Sequence, residues 1–432
     1  MGISLDKNNM VIKRINFRRA LREVIPIMDY ATHNIHSYTA KMIPHIPHHF
    51  IKKYTQEDDI ILDPFCGSGT ALLEASLLKR NAIGIDINPL AKLISEVKTT
   101  RVDINKLSHA FQLVKNSLKN NHRRASVTFP NKDFWFCSIA EFELSKIKHA
   151  IENLNGKIDQ DIYNFLLLCF SSVIRKSSNA DPRIAKTYKS KRVVKKIKHG
   201  WVPTPIQYFQ DSLNRNYERM NSLLEDRNVN KNYVKVFQGN AKETVDILKQ
   251  DGIEKVDFII TSPPYINAQD YFRSYKLELW WLGLATPAEV MRLKQKAIGT
   301  ENTMGCTNNS KPRSDNRLLN RIIDRIWKKN KKMNKQKTHM VCNYFKNMEL
   351  VFKELYCVLK LGGYFCLITG NNTICEVEIP TYRILAQIAE NNGFKVVDIC
   401  RDEIRNRALP PRRKHDGGII KEEWITVFQK KG

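Results

Sequence analysis

"DIILDPFCGSGTALLEASLLKRNAIGIDINP", residues 59–89, decides the fold. A short apolar run at 59–63 breaks at a proline and a glycine turn, then passes into a helical pattern. A second apolar run follows at 81–86, and Pro89 suits the first turn of another helix. Strand, turn, helix and strand in that order make a βα unit of a mostly parallel sheet. Working outward, apolar runs at 234–239, 256–261, 364–370, 394–400 and 423–429 complete an expected seven-stranded α/β sheet. Gly362-Gly363 predicts where the helix over 347–360 stops ahead of the strand at 364.

Two stretches break this rhythm. Residues 101–232 are too long for one crossover and carry helical segments, including "IYNFLLLCFSSVI". Residues 266–345 are polar and basic, with "TENTMGCTNNSKPRSDN" reading as a loop. Connections of such length are usually functional. The expected organisation is therefore a cofactor half (1–100), a helical and basic insertion (101–232), and a catalytic half (233–432) carrying a second insertion at 266–345.

The chain of 432 residues bears a formal net charge of +27, which favours polyanionic partners. Arg183–Lys198 holds eight Lys/Arg and no acid, and Lys311–Lys337 holds eleven against Asp315 and Asp324. These segments, about a tenth of the chain, supply 17 of the 27 net charges, so the excess is clustered rather than spread over every solvated face. Nine cysteines lie singly with no Cys-x-x-Cys pair, which argues against a zinc ribbon or a disulfide framework. No metal site is expected. The first residues lack a signal-peptide apolar stretch, and the longest apolar run, 165–170, is too short for a bilayer. A cytoplasmic protein without a membrane partner is expected.

The turn "LDPFCGSGT" does not fit a phosphate-binding loop, because Leu72 stands where a third glycine belongs. Asp63, at a strand end, suits a ligand carrying positive charge. Asp86 follows 23 residues later, near the offset at which a carboxylate grips ribose hydroxyls. An ammonium and an adenosine ribose in one ligand would satisfy both acids, as in S-adenosylmethionine. An N-cap aspartate and an ordinary βα turn would explain the same residues taken alone.

The strand at 256–261 runs into Ser262-Pro263-Pro264-Tyr265. An exocyclic amino group of a base is a poor nucleophile, since its lone pair is delocalised into the ring. Methylating it calls for acceptors that hold its N–H bonds and bend the nitrogen towards tetrahedral geometry. The Ser262 oxygen and the Pro263 carbonyl can supply them, and the prolines stiffen the segment. Tyr265 offers a face on which an extruded base can stack.

Together, "DPFCGSGT", "GIDINP" and "TSPPY" resemble the S-adenosylmethionine-dependent amino-methyltransferases of DNA, specific for cytosine N4 or adenine N6. "HSYTAKMIPHIPHHFIKKYT" at 36–55 looks like the segment preceding the cofactor turn in that family, and "RNRALPP" at 405–411 is also similar, without an assigned role. The resemblance implies a Rossmann-like methyltransferase sheet and direct transfer from sulfonium to amino nitrogen. It implies that Asp63, Phe65, Gly67 and Gly69 line the methionine side of the cofactor, that Asp86 binds its ribose, that Asn240 approaches the adenine, and that Tyr38 closes the pocket. Ser262, Pro263, Pro264 and Tyr265 would form the catalytic loop. Serine at 262, where adenine-modifying relatives commonly carry aspartate, favours cytosine N4. Double-stranded DNA is the implied partner, with a restriction endonuclease as a second.

Recognition is expected mid-chain, because the chain ends almost as soon as the sheet does. Lys189, Lys191, Arg192, Lys195 and Lys196 are expected on phosphates, while Asn308, Asn309, Arg313 and Arg317 could reach base edges. Adenine-N6 modification is the alternative reading. A tRNA guanine methyltransferase is less favoured, since those enzymes usually carry an RNA-binding domain ahead of the cofactor motif and 62 residues precede Asp63. A binding protein with a decayed core would have lost Asp63, Gly67, Asp86 or Pro-Pro-Tyr, and all are intact.

Overall fold

The computed structural model describes residues 2–5, 11–184, 186–225, 232–266, 270–299, 310–329, 332–404 and 420–432. The strands are β1 (Gly2–Leu5), β2 (Val11–Arg14), β3 (Ile60–Asp63), β4 (Asn81–Asp86), β5 (Val234–Gln238), β6 (Val256–Thr261), β7 (Leu359–Gly370), β8 (Asn372–Ile374), β9 (Val377–Ile379), β10 (Phe394–Glu403) and β11 (Glu422–Lys430). The sheet order is β1-β2-β10-β11-β7-β6-β3-β4-β5, with β8 and β9 in a separate hairpin. All seven expected strands are present. Strands β5, β4, β3, β6 and β7 run parallel, and β11 lies antiparallel between β7 and β10.

Two differences from the sequence reading have physical causes. The sheet has two further strands at one edge, because β2 pairs in parallel with β10 and β1 folds back on β2. Four-residue strands carry too little periodicity to be read alone. The helix before β7 spans Lys332–Val358 and stops four residues short of Gly362, so the glycines belong to the strand. Gly363 is needed there because a Cβ would lie 2.9 Å from the Asp257 carbonyl of the neighbouring strand segment.

The core of β3 and β4 is apolar on both faces, with Ile61, Leu62, Ile83 and Ile85 buried. Helix Thr70–Leu77 packs so closely that a Cβ on Gly84 would approach Leu72 Cδ1 to 2.5 Å. Helix Pro89–Thr99 starts as expected at Pro89, capped by Asn88, whose side chain accepts from Leu90 N at 3.0 Å.

The 101–232 segment contains helices Ile104–Asn120, Ser138–Glu152, Gln160–Ile174, Lys191–Lys198 and Pro205–Glu225. Most of them share one apolar core with helices Tyr271–Leu282 and Pro287–Lys296 of the 266–345 segment. Phe129 meets Trp280 at 5.2 Å between ring centres, and Phe136 meets Trp281 at 5.6 Å. The rest of the second segment, helix Arg317–Lys328 and the start of Lys332–Val358, packs with the helices on another core against the sheet. "RNRALPP", Asn308 and Asn309 lie outside the described residues. No described helix is long and apolar enough to cross a membrane.

Candidate active site

The chain leaves β3 towards β4 on one side and leaves β6 towards β7 on the other. The strand order therefore reverses between β3 and β6, and a crevice opens beyond their carboxyl ends, where open α/β sheets bind ligands. Asp63, Asp86, Asn240 and Ser262 stand at the ends of β3, β4, β5 and β6. They line one cavity, together with Tyr38, Phe65, Gly67 and Pro264. Its empty volume, open solvent at the mouth included, is about 970 Å³.

Asp63 bridges the reversal point. Its Oδ1 accepts from Thr261 Oγ1 at 2.6 Å and from Phe65 N at 3.1 Å. Burial pushes its carboxyl up to about 7, against these hydrogen bonds, and the nearby Asp86 adds to the push. Asp86 accepts from Gly67 N at 2.9 Å and from Asn88 N at 2.8 Å, and burial raises it to about 6. Among the described residues neither acid has an ion-pair partner. Two carboxyls that resist ionisation and lack a cation suit a ligand that supplies one. The described residues hold no cluster of metal-ligating side chains.

Gly67 and Gly69 both have positive φ, +51° and +71°. Gly67 lines the cavity under Tyr38, where a Cβ would touch the Tyr38 ring at 3.4 Å. Gly69 is not on the wall. Its missing Cβ makes room for helix Pro89–Thr99, since that atom would lie 2.8 Å from Ser95 Oγ and 3.1 Å from Ser95 Cα. Ser95 Oγ in turn donates to the Gly67 carbonyl at 2.9 Å. Gly69→Ala is expected to lower unfolding free energy by about 1–3 kcal/mol in denaturant titration. An unchanged midpoint would show that Ser95 gives way without cost.

Ser262 and Pro264 face the cavity, whereas Pro263 and Tyr265 are not part of its wall. The Tyr265 ring packs where β7 ends, so that a Cβ on Gly370 would meet its Cε2 at 3.1 Å. Ser262 and Glu423 both act on its hydroxyl, and burial pushes the Glu423 carboxyl up to about 7. The stacking face expected of Tyr265 is thus turned away from the cavity. Glu423 was not legible as a site residue, because nothing local distinguishes it from other strand-end acids.

Tyr38 stacks in parallel on Tyr275 (5.0 Å) and Tyr271 (5.6 Å), which joins the segment before the glycine turn to helix Tyr271–Leu282. Lys296, Ala297 and Ile298 close another side. Gly299, at φ +82°, lies against the Ser262–Tyr265 loop, where a Cβ would be 3.0 Å from the Tyr265 carbonyl. Of these only Tyr38 was expected; Tyr271, Tyr275 and residues 296–299 belong to the second insertion, which was expected to cover an extruded base rather than to wall the cofactor cavity.

Behind the glycine turn, Glu74 is fully buried on helix Thr70–Leu77. It is hydrogen-bonded to His33 Nε2 (2.6 Å), His48 Nδ1 (2.9 Å) and the Tyr30 hydroxyl. This network ties the 30–48 segment, and with it Tyr38, to the turn.

The basic residues expected at DNA stand outside the cavity. Lys191, Arg192, Lys195 and Lys196 are exposed on a short helix with no buried residue, capped by Ser190. Lys189 lies 4.1 Å above the Phe134 ring. Arg313 pairs with Asp324 at 3.3 Å, and Arg317 is exposed at the start of its helix.

A family model described as DNA methylase matches residues 17–96 and 256–432, which hold β3, β4, β6, β7, β10 and β11 and leave out the helical insertion. The type II methyltransferase M.MvaI of Kocuria varians is 26% identical over 407 residues, covering 88% of this chain and 86% of that protein. M.BsoBI of Geobacillus stearothermophilus, also a type II methyltransferase, is 24% identical and covers 96% and 88%. A solved S-adenosylmethionine-dependent methyltransferase from Methanosarcina mazei aligns at 12% identity over 88% of this chain and 97% of its own, with a TM-score of 0.31. The match over more than half the chain falls on the sheet that carries Asp63, Asp86 and Ser262, and by it the chain belongs to the DNA methylase family, as a DNA methyltransferase.

Proposed function

We propose that the chain methylates the exocyclic N4 amino group of cytosine in duplex DNA, with S-adenosylmethionine as donor and the target base turned out of the stack. The observation that carries this reading is the sharing of one cavity by Asp63, Asp86 and Ser262. When bound, S-adenosylmethionine supplies a methyl group on a sulfonium. Asp63 would hold its ammonium and Asp86 its ribose, with Tyr38, Phe65, Gly67 and Asn240 around them. The Ser262 oxygen would accept an amino N–H bond and draw the nitrogen out of planarity, while Pro263, off the cavity wall, and Pro264 keep the loop stiff. Serine in place of the aspartate common among adenine-modifying relatives supports cytosine as the target.

Target reading is assigned to the 101–232 insertion, which the family match leaves out. Lys189, Lys191, Arg192, Lys195 and Lys196 would position the duplex through its phosphates, and Arg313 and Arg317 would approach it from the second segment. Because the relatives are type II methyltransferases, the chain is assigned to the protecting half of a restriction–modification pair.

Incubation with S-adenosylmethionine and unmethylated genomic DNA, digestion to nucleosides and mass spectrometry tests the reading. N4-methylcytosine is the expected product. N6-methyladenine would remove the argument from Ser262, and label entering tRNA alone would overturn the DNA substrate. Tyr265→Ala is expected to lower turnover at least tenfold, about 1.4 kcal/mol of barrier, with cofactor affinity within about twofold. Tyr265→Phe separates ring from hydroxyl: full activity would dismiss a role for the hydroxyl.

A further inference from the structure

A second concave site lies beside the active-site cavity, between the segment at 34–41 and helices Gln160–Ile174 and Pro205–Glu225. Tyr38 and Lys41 belong to both walls. Four cations converge on it from different parts of the chain: Lys41, Lys176, Arg215 and Arg219. No carboxylate lines it. The remaining polar lining is neutral and includes Ser172, paired with Ser212 at 2.8 Å, and Asn216.

None of the four cations forms an ion pair among the described residues. Elsewhere on the surface lysines do find carboxylates, as Lys106 does with Asp159 at 2.9 Å. In the second site the partners are neutral or aromatic. Lys41 donates to Asn34 Oδ1 at 2.9 Å, Arg219 donates to Asn216 Oδ1 at 3.1 Å, and Lys176 sits 3.8 Å above the Tyr208 ring. The acid that acts on Lys41 and Arg219 is the exposed Asp29, outside the wall. Behind the site, the buried Lys98 amine has no hydrogen-bond partner, and burial with the nearby Lys41 charge pushes it down to about 7. Like charges gathered in a concave wall repel unless an anion joins them, and guanidinium forks match phosphate oxygens.

We propose that this site takes a backbone phosphodiester of the substrate DNA next to the nucleotide entering the catalytic cavity. A base extruded towards Ser262 keeps its phosphates outside the cavity, and the shared Tyr38–Lys41 wall sets the second site one step away. Lys41, Arg215 and Arg219 would hold the phosphate, with Lys176 and Ser172 at the rim. This contact is separate from the basic helix Lys191–Lys198, and it fixes the bent backbone rather than the flanking duplex.

The test is fluorescence anisotropy of a methylatable duplex, measured across a salt series, for the parent chain and for Arg215→Gln/Arg219→Gln. The double variant is expected to bind about tenfold more weakly, with the slope of log K against log salt smaller by about 1. Calorimetric affinity for S-adenosylmethionine should stay unchanged. Lys176→Gln, on a different element, should show the same direction and keeps the test open if the double variant does not fold. An unchanged slope in folded variants overturns the inference, and so does a loss confined to cofactor affinity. If the variants bind DNA normally while inorganic phosphate stabilises only the parent, the site takes a free anion and the phosphodiester assignment is wrong.

Discussion

Asp63→Asn should weaken S-adenosylmethionine binding by tenfold to a hundredfold, roughly the 1.5–3 kcal/mol of a hydrogen bond to a charged group. Asparagine can still accept from Thr261 and Phe65, so the loss reports the charge and not the shape of the turn. The same variant should be more stable than the parent without cofactor. Burial holds the Asp63 carboxyl near 7, well above its unfolded value of 3.8. A carboxyl raised on folding is favourable to the native state while protonated, and it becomes a penalty as pH rises from the unfolded value through the folded one. At pH 8 that penalty is on the order of 4 kcal/mol, and asparagine removes it. The parent's cofactor affinity should rise about tenfold between pH 6 and pH 8, because binding an ammonium requires the ionised acid. Calorimetry in buffers of different ionisation enthalpy should find proton release at pH 6.5. A pH-independent affinity would show that Asp63 does not meet the ammonium.

Glu74→Ala should cost about 2–4 kcal/mol, since it strands the buried His33 and the half-buried His48 and Tyr30 in one step. Burial alone would raise the Glu74 carboxyl, but hydrogen bonds from His33, His48 and Tyr30 outweigh it and hold the group at about 2. Its contribution is therefore complete above the unfolded value of 4.5 and is lost as pH falls towards 2. Burial lowers the His33 imidazole despite the hydrogen bond to Glu74. The folded chain thus keeps His33 neutral, while the unfolded chain protonates it below 6.5, which removes further stability on the acid side. Guanidinium titrations at pH 7 and pH 5 measure the His33 effect, and a third at pH 3 adds that of Glu74. Between pH 7 and pH 5 the parent should lose stability, and the variant, whose His33 lacks the bond that raises it, should lose at least as much. A parent equally stable at pH 7 and pH 5 would place the acid sensitivity elsewhere.

The sheet and the cavity were legible because their signals are local. A strand end, a glycine turn and a capped helix each lie within about ten residues, and Asp63, Asp86 and Ser262 each close an apolar run. Topology then brings them together, since parallel strands put all their carboxyl ends on one side. What was not legible depends on pairs distant in sequence. Gly69 reads as a ligand-binding glycine until Ser95 is seen against it. The direction of Tyr265 is decided by Glu423 and Gly370, more than a hundred residues away. The second basic site takes its cations from residues 41, 176, 215 and 219, and no window of sequence holds more than two of them.

The common core of the helical insertion and helix Tyr271–Leu282 makes the two one inheritance. Phe129 and Phe136 are matched to Trp280 and Trp281, and Tyr38 is matched to Tyr271 and Tyr275. A chimera that imports only the 101–232 segment from a relative would set foreign side chains against resident tryptophans and loosen the lid over the cofactor. If target reading lies in the insertion, as proposed, it is exchangeable only as a package, in which the insertion travels with the flank of the Ser262–Tyr265 loop.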